Sequence, residues 1–491
     1  MNYYSLAILY SDSYKQCHPR MYPKGTTKLV SYWVPRRSMF GENDTMIFFG
    51  LQPFIKEYLI ELFDNSFFNI SKDYVRRSYS EIIERHLGLE NVEIDRVMAL
   101  HELGYLPLKM RALPEGTIVP MGVPCIELTN THPDFAWVVQ WVECILQAEL
   151  WKPCCHATMA KKFRNLADTW YSANSDGNPA MAMADFGMRG MSGIDEAVKA
   201  SAAWLTSFNK TSTIPAIDYI DFNYKSCPYG IGLGAVSTEH SVMSANFAVD
   251  GDEISFVKRA LTELYPNTSF SMVSDTYDYW NMIDNILPAC KKEIMEHNGK
   301  LLVRPDSGDI VEISINTVLK LWNTFGGTVN SKGYKVLNPH IGIIYGDGCT
   351  LEKIGQIWSE LDKAGFAADN IVFGVGAFSF AAMPADDKMI IYTRDTYGIA
   401  MKATYAIING ESVFLYKDPK TDTSHLKKSQ KGLIDVWRDP AAEGKIRATD
   451  GLKSFSSNNE PNSLWQTVFE DGKIVKETTF EEIRERIARG N

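Results

Sequence analysis

The eight cysteines, at 17, 125, 144, 154, 155, 227, 290 and 349, include no C-x-x-C pair, and the adjacent Cys154 and Cys155 lack the spacing of zinc ligands. Reduced thiols in a cytoplasmic protein are the expected state. Positive charge is not in excess either: 50 Lys and Arg stand against 60 Asp and Glu, a formal net charge of −10. The chain therefore offers no broad electrostatic footprint for nucleic acid or an anionic membrane, and any anionic ligand must be held locally. Long hydrophobic runs are missing. The most apolar stretch, Ile371 to Pro384, is broken by Gly374 and Gly376 and falls short of the roughly 18 residues a membrane helix needs. Met1 to Tyr10 has no basic segment, and Asp12 and Lys15 arrive before an export signal could form, so no export is expected. There is no internal repeat and no low-complexity tract, although Asp418 to Gly432 is polar and basic enough for a mobile loop.

What remains is an ordinary folded composition, 45% hydrophobic and 22% charged over 491 residues, with length for two or three domains at roughly 150 residues each. Short apolar runs at Leu301 to Val303, Ile341 to Ile344 and Ile371 to Phe373 each precede a polar or Gly-rich turn. Between them, Glu312 to Thr324 and Leu351 to Ala364 space their apolar residues three and four apart, as helices laid on a sheet do. Strand, turn and helix in repeated order predict a parallel α/β core. Both ends of the chain differ: Lys24 to Pro35 reads as strand, Phe54 to Phe68 as helix, and Met389 to Tyr416 as hairpin-like strands turning near Asn409-Gly410. The fold expected is α/β, a central α/β barrel spanning 174–384 with a mixed α+β domain built from 1–173 and 385–491.

In such cores ligands meet the turns after the carboxyl ends of the strands, and the chemically suggestive residues lie there. Arg304 and Asp306 offer a fork for phosphate or carboxylate beside an acceptor, or simply a turn pair. Gly346-Asp347-Gly348 suits ribose hydroxyls or a hydrated cation, and is equally a plain turn. Gly374, Gly376 and Ala377 form a small-residue loop whose N–H groups could cradle phosphate, yet they match neither a dinucleotide fingerprint nor a Walker sequence. In Glu239-His240-Ser241 a nucleophile-capable imidazole adjoins a carboxylate, against the commoner case of a structural histidine. Phe186 and Arg189 could grip a flat ring and an anion together, or be a core Phe beside a surface Arg. Asp275, in Ser274-Asp275-Thr276-Tyr277-Asp278, faces either a ligand or the N–H groups of a helix start. Ser11 to Lys15 has the same character.

Taken in order, Asp12-Ser13-Tyr14-Lys15, Asp185-Phe186-Gly187-Met188-Arg189-Gly190, Glu239-His240-Ser241, Ser274 to Asp278, Arg304-Pro305-Asp306-Ser307-Gly308 and Gly346-Asp347-Gly348 strongly resemble the nicotinamide phosphoribosyltransferases. Pro114-Glu115-Gly116, Thr393-Arg394-Asp395, Lys417-Asp418-Pro419 and Phe480 to Arg484 extend the resemblance over nearly the whole chain.

The resemblance implies a homodimeric type II phosphoribosyltransferase with active sites shared between subunits. It implies a reaction of nicotinamide with phosphoribosyl pyrophosphate, giving nicotinamide mononucleotide and pyrophosphate in NAD salvage, with Mg2+ and with ATP as a coupled substrate. By the same resemblance, Phe186 and Tyr14, the latter from the second subunit, sandwich the pyridine ring, worth roughly 1 kcal/mol per aromatic pair beyond area burial. Asp306 and Asp275 balance the cation-like sugar. Arg304, Arg36, Arg394, Lys402 and Lys427 meet phosphate and pyrophosphate, and Arg189 lies near the 5′-phosphate or the carboxamide. Asp347, with Gly346, meets the ribose, Gly376 and Ala377 phosphate, Ser212 the base, and Ser271 is among the substrate-binding residues. His240 is the position of a phosphohistidine, oriented by Asp275 or Glu239. Mg2+ is held mainly by substrate phosphates, with Asp275 or Asp306 reaching it through water. Three positions depart from the family pattern: Ser212 stands where an Asp faces the carboxamide, Gly234 replaces a polar residue, and Val375-Gly376-Ala377 replaces a more Gly-rich loop. The competing expectations are the sister enzyme acting on nicotinic acid and a non-catalytic interaction protein on the same fold.

Overall fold

Parallel strands covered on both faces must be apolar throughout, and the wholly buried run Ile341–Tyr345 is such a strand. It belongs to one of two units into which the computed structural model divides, which describes residues 4–225, 228–385, 388–421, 429–442, 444–454 and 463–490. One unit comprises 159–220 and 227–389, the other 1–158, 221–226 and 390–491.

In the former, seven strands lie in the order Lys210–Thr211, Met183–Phe186, Ile371–Gly376, Ile341–Tyr345, Leu301–Arg304, Phe270–Val273 and Val236–Ser237. Every neighbouring pair is parallel. The two edge strands are joined through the chain just before the last of them. Lys210 bridges Leu233 in parallel, the Thr211 N–H donates to the Leu233 carbonyl at 3.1 Å, and the Leu233 N–H donates to the Asn209 carbonyl at 2.9 Å. The sheet thereby closes as an α/β barrel. Its helices bury one stripe each. Ile310–Phe325 buries Ile310, Ser314, Thr317, Val318, Leu321 and Phe325, and starts where Asp309 accepts the Val311 and Glu312 N–H groups. Leu351–Lys363 buries Ile354, Ile357, Trp358 and Leu361 below a Thr350 cap.

The other unit is built on a seven-stranded antiparallel sheet to which both chain ends contribute. Thr26–Val34 pairs with Ala400–Ile408 on one side and Ile126–Asn130 on the other. Asn409 and Gly410, at φ 54° and 82°, turn the hairpin from Ala400–Ile408 into Glu411–Phe414, as a left-handed pair in a two-residue loop does. The segment expected as helix from Phe54 is helical but widens into π turns over Ile55–Glu61 and Asp64–Phe68. Within the sheet, the buried Glu127 carboxylate takes both prongs of Arg111 at 2.6 Å and the Tyr32 hydroxyl at 2.6 Å. That satisfies a charge burial would otherwise penalise heavily. Among the described residues no helix is long and apolar enough to cross a membrane.

Candidate active site

All seven barrel strands end at the same rim, and the turns there carry the residues singled out from the sequence. Phe186, Arg189, His240, Arg304, Asp306, Gly346, Asp347, Gly376 and Ala377 line one cavity of about 890 Å3. A second cavity, of about 350 Å3, shares Phe186, Arg189, Ser237 and Arg304 with the first and reaches Ser212, Ser271 and Lys210. Ser212 is exposed, whereas Ser271 is buried with its hydroxyl lacking a hydrogen-bond partner.

Phe186 is fixed by its neighbours in sequence and space. The preceding Asp185 is fully buried and accepts from the Gly187 N–H at 2.7 Å, the Ser201 and Thr211 hydroxyls at 2.6 Å each, and the Thr213 hydroxyl at 3.2 Å. This one carboxylate ties the end of strand Met183–Phe186 to the turn bearing Ser212. Opposite, a Cβ on Gly374 would stand 2.3 Å from the Phe186 ring, and one on Gly346 would stand 3.1 Å from it. Gly374 therefore seats an aromatic ring. Of the loop expected to cradle phosphate, only Gly376 and Ala377 face the larger cavity.

The charged groups form a connected set. Arg304 donates to the Thr238 carbonyl at 3.1 Å, while its buried Nε has no partner. Burial pulls its pKa down, opposed by Asp306 and Asp275 and reinforced by Arg189. Asp275 is not a helix cap; Asp278 caps the Tyr279–Asn281 turn by accepting the Asn281 N–H. One Asp275 oxygen instead accepts the Asp306 N–H at 3.0 Å and the Ser307 hydroxyl at 2.5 Å, and the other is buried without a partner.

The orientation of His240 departs from expectation. Its Nδ1 lies 3.1 Å from the Thr276 hydroxyl and its Nε2 3.7 Å from Asp306. Glu239 turns away to accept from the Ser241 hydroxyl, and Asp275 is taken up by the Asp306–Ser307 turn. Neither carboxylate expected to orient the imidazole does so.

No group of three or more His, Cys, Asp or Glu side chains among the described residues is arranged to hold a metal ion. The partnerless Asp275 oxygen beside the Asp306 carboxylate is the hard oxygen donor that hydrated Mg2+ prefers, and it fits an ion carried in mainly by phosphates.

The remaining expected residues lie in the other unit. Arg36, Arg37, Arg394, Lys402 and Lys417 form a cationic group. Burial lowers the pKa of Arg36, with Arg37 and Arg394 adding to it, and burial likewise lowers Lys402, opposed by Glu143 and reinforced by Arg36, Lys417 and Arg394. Tyr14 is half exposed near the start of helix Ser13–Met21, its ring 5.3 Å from that of His18. Lys427 lies outside the described residues.

Sequence reasoning missed three groups. Thr238 and Thr276 hold Arg304 and His240, but a lone threonine after a strand carries no signal. Lys210 lines the second cavity, and burial, with Lys300 nearby, pushes its pKa down to about 8. It lies on a two-residue strand, too short to carry a periodicity.

Residues 181–473 match the nicotinate phosphoribosyltransferase (NAPRTase) family, and residues 6–110 match the N-terminal domain of nicotinamide phosphoribosyltransferase. The chain is 37% identical to a nicotinamide phosphoribosyltransferase of Acinetobacter baylyi, over 97% of this chain and 96% of that one. It is 30% identical to one of Xanthomonas campestris pv. campestris, over 99% and 98%. Among solved structures, the nicotinate-nucleotide pyrophosphorylase of Pyrococcus furiosus superposes with a TM-score of 0.61 at 16% identity, over 100% of this chain and 97% of the other. Human nicotinic acid phosphoribosyltransferase does so at 0.56 and 15%, over 98% and 93%, a likeness of fold. With its strand-end site and a match over most of its length, the chain belongs to the nicotinate phosphoribosyltransferase family.

Proposed function

We propose that the protein joins nicotinamide to phosphoribosyl pyrophosphate, releasing nicotinamide mononucleotide and pyrophosphate. The observation that carries this reading is the cavity at the barrel rim, where an aromatic face, three carboxylates and two guanidinium groups converge. The pyridine nitrogen attacks the anomeric carbon as the bond to the pyrophosphate oxygen breaks, and that oxygen keeps the electron pair. Cation-like charge on the sugar is met by Asp306 and Asp275, and the departing phosphates by Arg304 and Arg189. Phe186, held on Gly374 and by the Asp185 network, orients the flat base, and Asp347 meets the ribose hydroxyls. Bound Mg2+ would neutralise charge on the pyrophosphate, and Asp275 or Asp306 would hold it through water.

ATP is coupled through His240. A ring nitrogen takes the terminal phosphoryl group as the bond to the ADP oxygen breaks, and water later cleaves the phosphorus–nitrogen bond. The relatives' names support nicotinamide as the base. The second reading, nicotinic acid, is favoured by one observation: Ser212, in the wall of the ring cavity, carries no charge to repel a carboxylate. The enzyme acts as a homodimer, with Tyr14 and the cationic group around Arg36 and Arg394 completing the sites.

Steady-state rates with each base and phosphoribosyl pyrophosphate test this. A higher kcat/KM for nicotinamide is expected. Preference for nicotinic acid would establish the sister reaction, and no mononucleotide with either base would leave a non-catalytic interaction protein.

A further inference from the structure

The unit built from both chain ends contains a separate cavity of about 130 Å3, none of whose lining residues belongs to the barrel. A volume of that size holds several waters or a ligand of about eight heavy atoms. Its apolar wall is formed by Leu51, Ile55, Leu113, Pro114, Val468 and Ile474. Arg486 and Lys476 supply positive charge at its polar side.

The acids in the same lining are already engaged. Buried Glu115 accepts the Gly50 N–H at 2.6 Å, the Gln52 N–H at 2.7 Å and the Tyr224 hydroxyl at 2.9 Å, closing the start of helix Leu51–Phe54. Glu482 accepts the Thr478 hydroxyl at 2.8 Å and the Thr479 N–H at 3.1 Å. Glu477 is paired with Lys56 and Lys225. Gln52 is held at both ends of its amide by Thr478 and Asn223.

The guanidinium is engaged only in part. Half-buried Arg486 donates from Nη1 to the Glu115 main-chain carbonyl, and among the described residues no carboxylate lies within ion-pair distance of it. Burial lowers its pKa, and the nearby Glu482 and Glu115 carboxylates oppose that pull. A desolvated guanidinium with spare donors beside a cavity is an incomplete arrangement that an anion would complete.

We propose that this cavity binds a small amphipathic anion, with its carboxylate on Arg486 and Lys476 and an apolar stem of about five carbons on the Leu51, Ile55 and Val468 wall. Phosphate alone, lacking the stem, fills only the polar side.

Sodium hexanoate is the probe, used with the full-length protein. Isothermal titration and thermal unfolding are expected to show saturable binding and a rising midpoint with hexanoate, and neither effect with hexylamine, which keeps the stem and reverses the charge. Lys476→Gln, at an exposed residue, is expected to weaken hexanoate binding about tenfold, as loss of a charge-assisted contact does. Arg486→Gln is expected to abolish it. Arg304→Ala, at the barrel rim, is expected to leave it unchanged. Equal response to hexylamine, indifference to Lys476→Gln, or loss of binding in Arg304→Ala would overturn the proposal. If Arg486→Gln does not fold, the Lys476 variant and a hexanoate-soaked crystal decide. Density for the carboxylate anywhere but at Arg486 refutes it.

Discussion

The amine of Lys210 makes a sharp test of how the barrel interior is organised. In an unfolded chain this group titrates near 10.5; in the barrel, burial and the proximity of Lys300 bring it to about 8. At about 1.4 kcal/mol for each pH unit of displacement, keeping the charged amine in the barrel wall costs about 3 kcal/mol. The sign follows from proton binding. Below pH 8 the amine is charged in both states and the folded protein bears the full cost. Between 8 and 10.5 the unfolded chain holds the proton and the folded one does not, so stability rises with pH. Above 10.5 the cost is gone. Lys210→Met, close in length and without charge, should therefore stabilise the barrel by up to about 3 kcal/mol at pH 7, an advantage that shrinks towards zero as pH approaches 10.5. Native-state hydrogen exchange of the barrel strand amides measures this for the barrel itself, free of the other unit's unfolding. A variant less stable than the parent at pH 7, or an advantage constant across the range, would refute the reasoning. A cost of this kind is tolerated where a group faces a ligand, and Lys210 shares its cavity with Phe186, Ser212 and Arg304.

Other substitutions probe the remaining parts. Gly374→Ala drives a methyl into the Phe186 ring and should lower kcat/KM for the base by about tenfold to a hundredfold, with little change in midpoint; unchanged kinetics would show that the ring is not a seat for the base. Arg111→Met strands the buried Glu127 carboxylate and should destabilise the antiparallel sheet by about 3–5 kcal/mol in urea unfolding, a loss under 1 kcal/mol contradicting the pairing. His240→Ala should abolish stimulation by ATP while slow transfer persists, and ATP stimulation that survives would remove the phosphohistidine from the scheme. Asp306→Ala should reduce turnover far more than Asp418→Ala, because only Asp306 lies in the strand-end cavity; equal kinetics would count against that assignment.

Much of the barrel was legible in the sequence because its later strands carry their own evidence. Leu301–Arg304, Ile341–Tyr345 and Ile371–Gly376 are β-branched or apolar runs closed by polar or glycine turns, and the helices Ile310–Phe325 and Leu351–Lys363 show their buried stripe as spacing. The two strands that close the ring, Lys210–Thr211 and Val236–Ser237, have two residues each. No periodicity exists over two residues, and their pairing is set by hydrogen bonds between segments far apart in the chain. The π turns after Ile55 were hidden for a related reason: one extra residue per turn leaves the apolar pattern nearly intact.

The site shows the same division more sharply. Residue types announce chemistry, so Phe186, Arg304, Asp306 and His240 could be named from motifs, and strand-end position explains why they share a cavity. What no motif contains is the direction of a side chain within its turn. Asp275 and Glu239 are the carboxylates expected at His240, yet the turn at Asp306 and Ser307 claims one and Ser241 the other, leaving the imidazole between Thr276 and Asp306. Gly374 makes the point in reverse. A glycine in a strand-end loop reads as backbone freed for phosphate, but a missing Cβ is equally room for something else, and here the room is filled by the ring of Phe186, nearly two hundred residues earlier in the chain. The sequence records that space was left; only the barrel, by bringing Met183–Phe186 beside Ile371–Gly376, determines what occupies it.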